Sequence, residues 1–422
     1  MPHQIKRKAN HLKIYSFLIA LLWSATLFFS CGKSSEGLEN GTWRATLKTE
    51  SGTEIPFNFI VSDTSGRKVI YITNAGERFR VDDISVSNDS VTIKLPLFDS
   101  EIKAEFSSSG LNGKWIRHLP GKEVAMEFAA EHGVTSRFLV SGDGSGQNVT
   151  GRWSSTFVSS DGKDTTIAVG EFTQDSTKVT GTFLTTTGDY RYLEGTLSGD
   201  KLFLSTFDGS HAFLFTGRVK GNTIIDGKFY AGLSSVDNWT AKKDPNAMLP
   251  DAYSLTRLKP GYSTIDFNFP DLNGNNVSLS SSRFKNKVVI VQFLGSWCPN
   301  CMDESGYLAP FYKKNKSKGV EVVGLAYERT TDTERSKKSL QQLRDRLDIT
   351  YPILLTGYTN KEALKSMPAL NEFKAFPTTI VIDKRGKVRS IHTGFSGPGT
   401  GKHYTDFVME FEKQINDLLR ES

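Results

Sequence analysis

Two of the chain's three cysteines, Cys298 and Cys301, are separated only by Pro299 and Asn300. They follow Gly295-Ser296-Trp297 and the apolar run Val288-Val289-Ile290-Val291, which continues as Gln292-Phe293-Leu294. A Cys-x-x-Cys that opens a helix after a buried strand sets its first sulfur over unpaired backbone N–H groups at the positive end of the helix dipole, which favours the thiolate. Cys298 is therefore the candidate nucleophile. Pro299 suits the first helical turn, where no amide donor is needed, and the spacing lets Cys301 meet Cys298 across one turn. Such a pair interconverts between dithiol and disulfide. Three cysteines cannot build a four-cysteine zinc site, Cys31 is far away in sequence, and neither a metal nor another cofactor is expected.

The role of Cys31 follows from the residues before it. His3, Lys6, Arg7, Lys8 and Lys13 form a basic segment without an acid, and Ile14 to Ser30 is almost entirely apolar, the pattern of an export signal. Ser30 precedes Cys31, and Gly32 and a polar Lys33-Ser34-Ser35-Glu36-Gly37 stretch follow it. The arrangement resembles a bacterial lipoprotein signal, which implies lipidation at Cys31, although Phe28 and Phe29 depart from the aliphatic and small residues usual there. The alternative is an uncleaved anchor of seventeen residues, short for a membrane span. Both readings tether the protein outside the cytoplasm, facing the periplasm or exterior, where disulfides persist. Of the formal charge of +6, four positive charges (Lys6, Arg7, Lys8 and Lys13) lie in the signal, leaving +2. That excludes a nucleic-acid footprint, and Lys313-Lys314 and Lys337-Lys338 read as solvated helix faces.

The elements that must position the thiols divide into an all-β region and an α/β region. From Gly41 to Ala241, short runs rich in Val, Ile, Thr, Phe and Tyr alternate with Gly, Asn, Asp and Ser turns. Glu54 to Val61 and Lys201 to Ser205 show the alternation of half-buried antiparallel strands. The region repeats itself. Gly41-Thr42-Trp43 answers Gly151-Arg152-Trp153, Gly76 to Phe79 answers Gly188 to Arg191, and Leu97 to Ser100 answers Thr206 to Gly209, at offsets of 110, 112 and 109. Two tandem units are expected, each of roughly eight short strands in a small barrel or curved meander. The Gly-x-Trp on the opening strand resembles the first strand of lipocalin and avidin barrels, which implies a ligand cavity; the other reading is a filled barrel that spaces or docks the redox domain. His118, His132 and His211 stand apart from one another and suggest no metal site.

The expected organisation is a lipoprotein-type signal over 1–30, a tether over 31–40, β-rich units over 41–132 and 133–241, a proline-bearing linker over 242–260, and an α/β domain over 261–422. In the last, a hairpin at 266–279 precedes strands at 287–292, 320–326, 351–355, 378–383 and 387–392. Helices are expected from Cys298 to about Lys316, at 333–347, at 360–367 and at 407–419.

This domain resembles the TlpA/ResA branch of thioredoxin-like proteins, membrane-tethered thiol-disulfide oxidoreductases of the bacterial envelope. The carrying motifs are the strand and Cys-Pro-Asn-Cys at 288–301, Glu304, the strand Gly319 to Gly324, and Phe376-Pro377-Thr378-Thr379-Ile380-Val381-Ile382-Asp383. The resemblance implies that Pro377 is a cis-proline opposite the cysteines, offering backbone to an extended client. It implies docking at Trp297, Pro299, Asn300, Phe376 and Pro377, and a membrane electron donor that restores the dithiol. Disulfide-containing client proteins are then the partners, with cytochrome c maturation among the family-level roles. Two positions depart from the pattern. Gln292 stands where thioredoxins hold a buried aspartate, which passes the proton role to Glu304, and Gly306 stands near the family's helix-kinking proline.

Other readings meet obstacles. A peroxiredoxin-type peroxidase wants Pro-x-x-x-Thr-x-x-Cys, yet Val291 and Gly295 occupy those places before Cys298. A Sco-type copper protein, with His392 or His403 as its distant ligand, needs one more residue between the cysteines. A ligand-binding lipoprotein whose β units carry the main function is the alternative from another class.

Overall fold

The structure, a computed structural model, describes residues 37–140 and 146–421. The signal segment and Cys31 lie outside them. Among the described residues no helix is long and apolar enough to cross a membrane.

Alternating apolar residues separated by tight turns give nine antiparallel strands first: β1 (Gly41–Lys48), β2 (Glu54–Thr64), β3 (Arg67–Asn74), β4 (Glu77–Val81), β5 (Asp83–Val86), β6 (Ser90–Leu95), β7 (Ser100–Ser107), β8 (Gly110–Leu119) and β9 (Lys122–His132). Each pairs with its sequence neighbour except β4 with β5, and β1 also pairs with β9. The meander is thus a barrel with one open seam.

The second unit comprises β10 (Gly151–Ser159), β11 (Thr165–Asp175), β12 (Lys178–Thr185), β13 (Gly188–Asp189), β14 (Leu193–Ser198), β15 (Lys201–Phe207), β16 (Ala212–Lys220), β17 (Thr223–Ala231) and β18 (Ser235–Lys243). Here β11 pairs with β12 and β10 with β18, which closes an eight-stranded ring, with β13 a short addition to β12. Closure removes the exposed edges that an open sheet leaves. The interior is filled. Phe183 lies 4.9 to 5.3 Å, centroid to centroid, from Phe157, Phe172, Phe215 and Trp239, in the offset and edge-to-face contacts that aromatic rings favour.

The repeat has a structural counterpart. Trp43 donates its indole N–H to the Glu39 carbonyl at 2.9 Å, and Trp153 donates to the Val149 carbonyl at 2.8 Å, each four residues back. Equivalent turns of the two units also meet: Ser100 Oγ donates to the Gly209 carbonyl at 2.6 Å. Around that contact the end of β15 enters the first barrel, where the Phe207 ring sits 4.3 Å from Phe57 and 5.1 Å from Trp115. Buried Arg137 donates to Asn58 Oδ1 and to the Ser205 carbonyl.

β18 runs through Lys243, two residues into the expected linker. Beyond it Ala247 and Leu249 pack on Val169 and Leu184.

The α/β domain opens with the hairpin β19 (Asn268–Pro270) and β20 (Asn276–Ser278). Its sheet has the order β23 (Ile353–Thr359), β22 (Val320–Glu328), β21 (Val288–Leu294), β24 (Thr378–Ile382), β25 (Val388–Thr393); the first three are parallel and the fourth, β24, is antiparallel to both β21 and β25. β21 is buried along its whole length. Val289, Val291 and Phe293 face Val323, Leu325 and Tyr327 in one core, while Val288 and Ile290 join another with helix residues Leu308, Phe311 and Phe411. Burial on both faces explains an unbroken apolar run. The helices are α1 (Pro299–Asn315), α2 (Thr333–Arg346), α3 (Ala363–Ser366) and α4 (Lys402–Arg420). α4 begins five residues before the expected 407. Both barrels and this domain belong to one compact unit, Leu38–Ser422. Arg335 of α2 reaches Asp99 of the first barrel at 2.7 Å, and His403 of α4 lies 3.0 Å from Glu171 of the second.

Candidate active site

Cys298 is the N-cap of α1: its Sγ accepts the Cys301 backbone N–H at 3.2 Å, and Pro299 takes the first helical position. The cap satisfies one orphan donor of the helix start while aligning the sulfur with the dipole. Cys298 and Cys301 form a disulfide. Cys301 is fully buried and Cys298 is only 5% exposed.

The Phe376–Pro377 peptide is cis, as the resemblance implies. Cys298 Sγ lies 3.8 Å from the Phe376 carbonyl oxygen, which places this loop beside the pair. Trp297 meets the Phe376 ring edge-on at 5.6 Å and donates its indole N–H to the Tyr327 carbonyl at 3.0 Å. The Arg329 guanidinium stacks 4.4 Å over the same indole, a cation–π contact.

Glu304, one turn past Cys301, is 1% exposed. Gln292 Nε2 donates to its Oε2 at 2.7 Å and Thr379 Oγ1 to its Oε1 at 2.8 Å. Burial pushes its carboxyl up to about 7, against the pull of these two hydrogen bonds. Gln292 Oε1 in turn accepts from Ser305 and Tyr351. Gln292 therefore orients the acid rather than carrying a proton itself. The helix-interior proline is Pro310, four residues after Gly306, whose carbonyl thereby lacks the usual amide donor.

Pro299 and Asn300, expected on the docking face, lie against the second barrel. A Cβ on Gly188 would collide with the Asn300 amide. Arg191 Nη1 donates to the Pro299 carbonyl at 3.3 Å, and Nη2 pairs with Asp303 at 3.3 Å and with Glu77 of the first barrel. Burial pushes Asp303 up to about 7 even with Arg191 beside it. Sequence patterns do not reveal this cluster because more than a hundred positions separate Glu77, Arg191 and Asp303 from one another. Glu328 is a second unforeseen member of the site: it is buried and accepts from Ser296 N and Oγ at 2.8 and 2.7 Å, fixing the residue before Trp297. Acidic residues inside a strand carry no sequence signal that separates them from surface charges.

The candidate copper ligands are engaged elsewhere. His392 is held near 4 by burial and packs on Tyr253 and Phe407, and His403 bonds to Glu171.

Residues 260–391 match the AhpC/TSA family. The thiol-disulfide oxidoreductase ResA of Geobacillus kaustophilus (strain HTA426) is 30% identical over 141 residues, covering 33% of this chain and 72% of that protein. ResA of Bacillus subtilis (strain 168) is 30% identical over 137 residues, 32% of this chain and 69% of its own. A thiol-disulfide oxidoreductase of known structure from Bacteroides fragilis matches at 18% identity and a TM-score of 0.27, over 35% of this chain and 99% of its own.

Proposed function

The chain belongs to the thioredoxin-like thiol-disulfide oxidoreductases of the ResA kind, and from that premise we propose that it is a membrane-tethered, extracytoplasmic reductase of protein disulfides. The observation that carries the reading is the Cys298–Cys301 disulfide at the start of α1, beside the Phe376–Pro377 loop and one turn from a buried acid held near neutrality.

In the reduced protein, Cys298 attacks a client disulfide as thiolate. One client sulfur leaves as thiolate, and the other is held in a mixed disulfide. Cys301 loses its proton to Glu304 and attacks Cys298 Sγ, which releases the second client thiolate and re-forms the Cys298–Cys301 bond. Two electrons from a membrane donor then restore the dithiol. Trp297, Phe376 and Pro377 form the docking rim, where the Phe376 backbone beside Cys298 would pair with an extended client. Pro299 and Asn300 join that rim only when the Gly188–Arg191 loop moves off them. Cys31 carries the lipid that keeps the chain at the membrane.

Equilibration of the pair against glutathione or dithiothreitol, with Cys298→Ser as control, tests the direction. A potential near −270 mV or below, about that of thioredoxin, supports a reductase; one near −120 mV makes the protein an oxidant. A Cys31→Ser variant should leave the membrane fraction, and one that stays there would refute lipidation as the tether.

A further inference from the structure

Arg191 belongs to the second barrel, yet its partners converge on the redox helix. It donates to the carbonyl of Pro299, the residue that follows the nucleophile, and pairs with Asp303, two residues beyond Cys301. The start of α1 is thus gripped on both sides of Cys301. The grip is prepared. Asp189 accepts the Gly397 amide at 2.7 Å and the Arg191 amide at 2.5 Å, which ties the loop to the redox domain. Arg191 itself adopts the left-handed conformation at φ 57°, an unfavourable one for a residue with a side chain that persists only where its surroundings hold it. Burial weakens the guanidinium's hold on its proton, and Asp303 and Glu77 outweigh that. A buried cation whose two carboxylate partners come from two other parts of the chain is expensive unless both are in place.

We propose that Arg191 is a positioning residue for the Cys298–Cys301 pair, so that the second barrel sets the redox equilibrium of the thiols. The inference rests on the oxidoreductase reading above. The Arg191 charge offsets the Glu77 and Asp303 carboxylates beside the start of α1, which favours the Cys298 thiolate and with it the reduced state. In the equilibrium measured, two glutathione thiols become one glutathione disulfide. Their two electrons and two protons pass to the Cys298–Cys301 disulfide and give the dithiol.

The test compares full-length wild type, Arg191→Met, Arg191→Met with Asp303→Asn, and Arg191→Gln in glutathione buffers, reading the reduced fraction by alkylation and mass spectrometry. R191M should move the equilibrium constant toward the disulfide by about three- to tenfold, that is about 15–30 mV at 29.6 mV per tenfold. The double variant removes Asp303, one of the two carboxylates that R191M strands, so its stability recovers in part while its constant stays shifted. A wild-type constant in the folded double variant overturns the proposal and makes Arg191 a purely structural link. If neither Met variant folds, R191Q decides. Its amide can still donate hydrogen bonds but carries no charge, so it should move the constant the same way; a wild-type value there overturns the proposal equally. A wild type without any reversible couple sinks the oxidoreductase reading itself, a result distinct from unshifted variants.

Discussion

The Gln292 side-chain amide donates to the Glu304 carboxylate across 2.7 Å inside the redox domain, in the place where thioredoxins keep an aspartate of their own. The acid has moved from the strand to the helix, and the strand residue has become its donor. With its carboxyl held near 7 by burial, Glu304 changes charge in the range where thiol exchange operates.

Replacing it separates chemistry from stability. The folded value lies above the ordinary 4.5, so the folded protein binds the extra proton between the two values and stability falls as pH rises from about 4.5 to 7. Below that window the acid is neutral in both states and costs nothing; above it the deficit is constant, about 3 kcal/mol at most. Glu304→Gln keeps an acceptor for Gln292 and can donate to Thr379, so it should melt higher than wild type at pH 8 and match it at pH 4. Thiol exchange should slow by about 100-fold at neutral pH and lose its titration near 7. Unchanged kinetics would remove Glu304 from the mechanism.

The two thiols are not equivalent, and single substitutions should reveal this. Cys298 caps the helix and Cys301 is sealed beneath it. Cys301→Ser should accumulate a mixed disulfide with a disulfide-bearing client protein, visible on a non-reducing gel and cleared by dithiothreitol. Cys298→Ser should trap none. The reverse pattern would exchange the assigned roles.

What sequence disclosed here follows from the range of each signal. The Cys-Pro-Asn-Cys motif, the buried strand before it and Phe376-Pro377 are local patterns, and their places in the sheet follow from periodicity and turn residues. The repeat was legible through Gly-x-Trp because each tryptophan makes the same bond to a carbonyl four residues back. The seam between β4 and β5 was not, since an alternating strand reads alike whether or not its neighbour pairs. Nor was the grip of Arg191 on Pro299, because Arg191 looks like any turn-flanking charge until Glu77 and Asp303 are brought beside it. Pro299 and Asn300 read as docking residues for the same reason: nothing near them announces that Gly188 leaves room for Asn300.

That occupied face has a kinetic consequence. With Cys298 only 5% exposed and the barrel loop on Pro299 and Asn300, a large reagent must wait for local opening while a small one need not. Reduced protein should react with iodoacetamide faster than with a polymer-linked maleimide, after correction for each reagent's rate with free cysteine. The expected gap is about tenfold, the factor that an opening cost of ~1.4 kcal/mol produces. Gly188→Ala, which crowds Asn300 and strains a backbone at φ 138°, should narrow the gap by speeding the large reagent. Equal corrected rates in wild type would mean that the loop is no obstacle.

The aromatic filling of the second barrel bears on whether that barrel is a container or a brace. Phe183 is completely buried among Phe157, Phe172, Phe215 and Trp239, so Phe183→Ala should cost about 3–5 kcal/mol through lost transfer energy and the cavity left behind. Urea unfolding of the full chain measures the loss. The variant should also take up a small apolar probe such as benzene into its new apolar void, as engineered cavities do, whereas the wild type should not be stabilised by it. A wild type stabilised as strongly as the variant would mean that the ring cluster opens readily enough to admit a ligand. The β unit would then be a binding domain in its own right, with the thiol pair as its accessory.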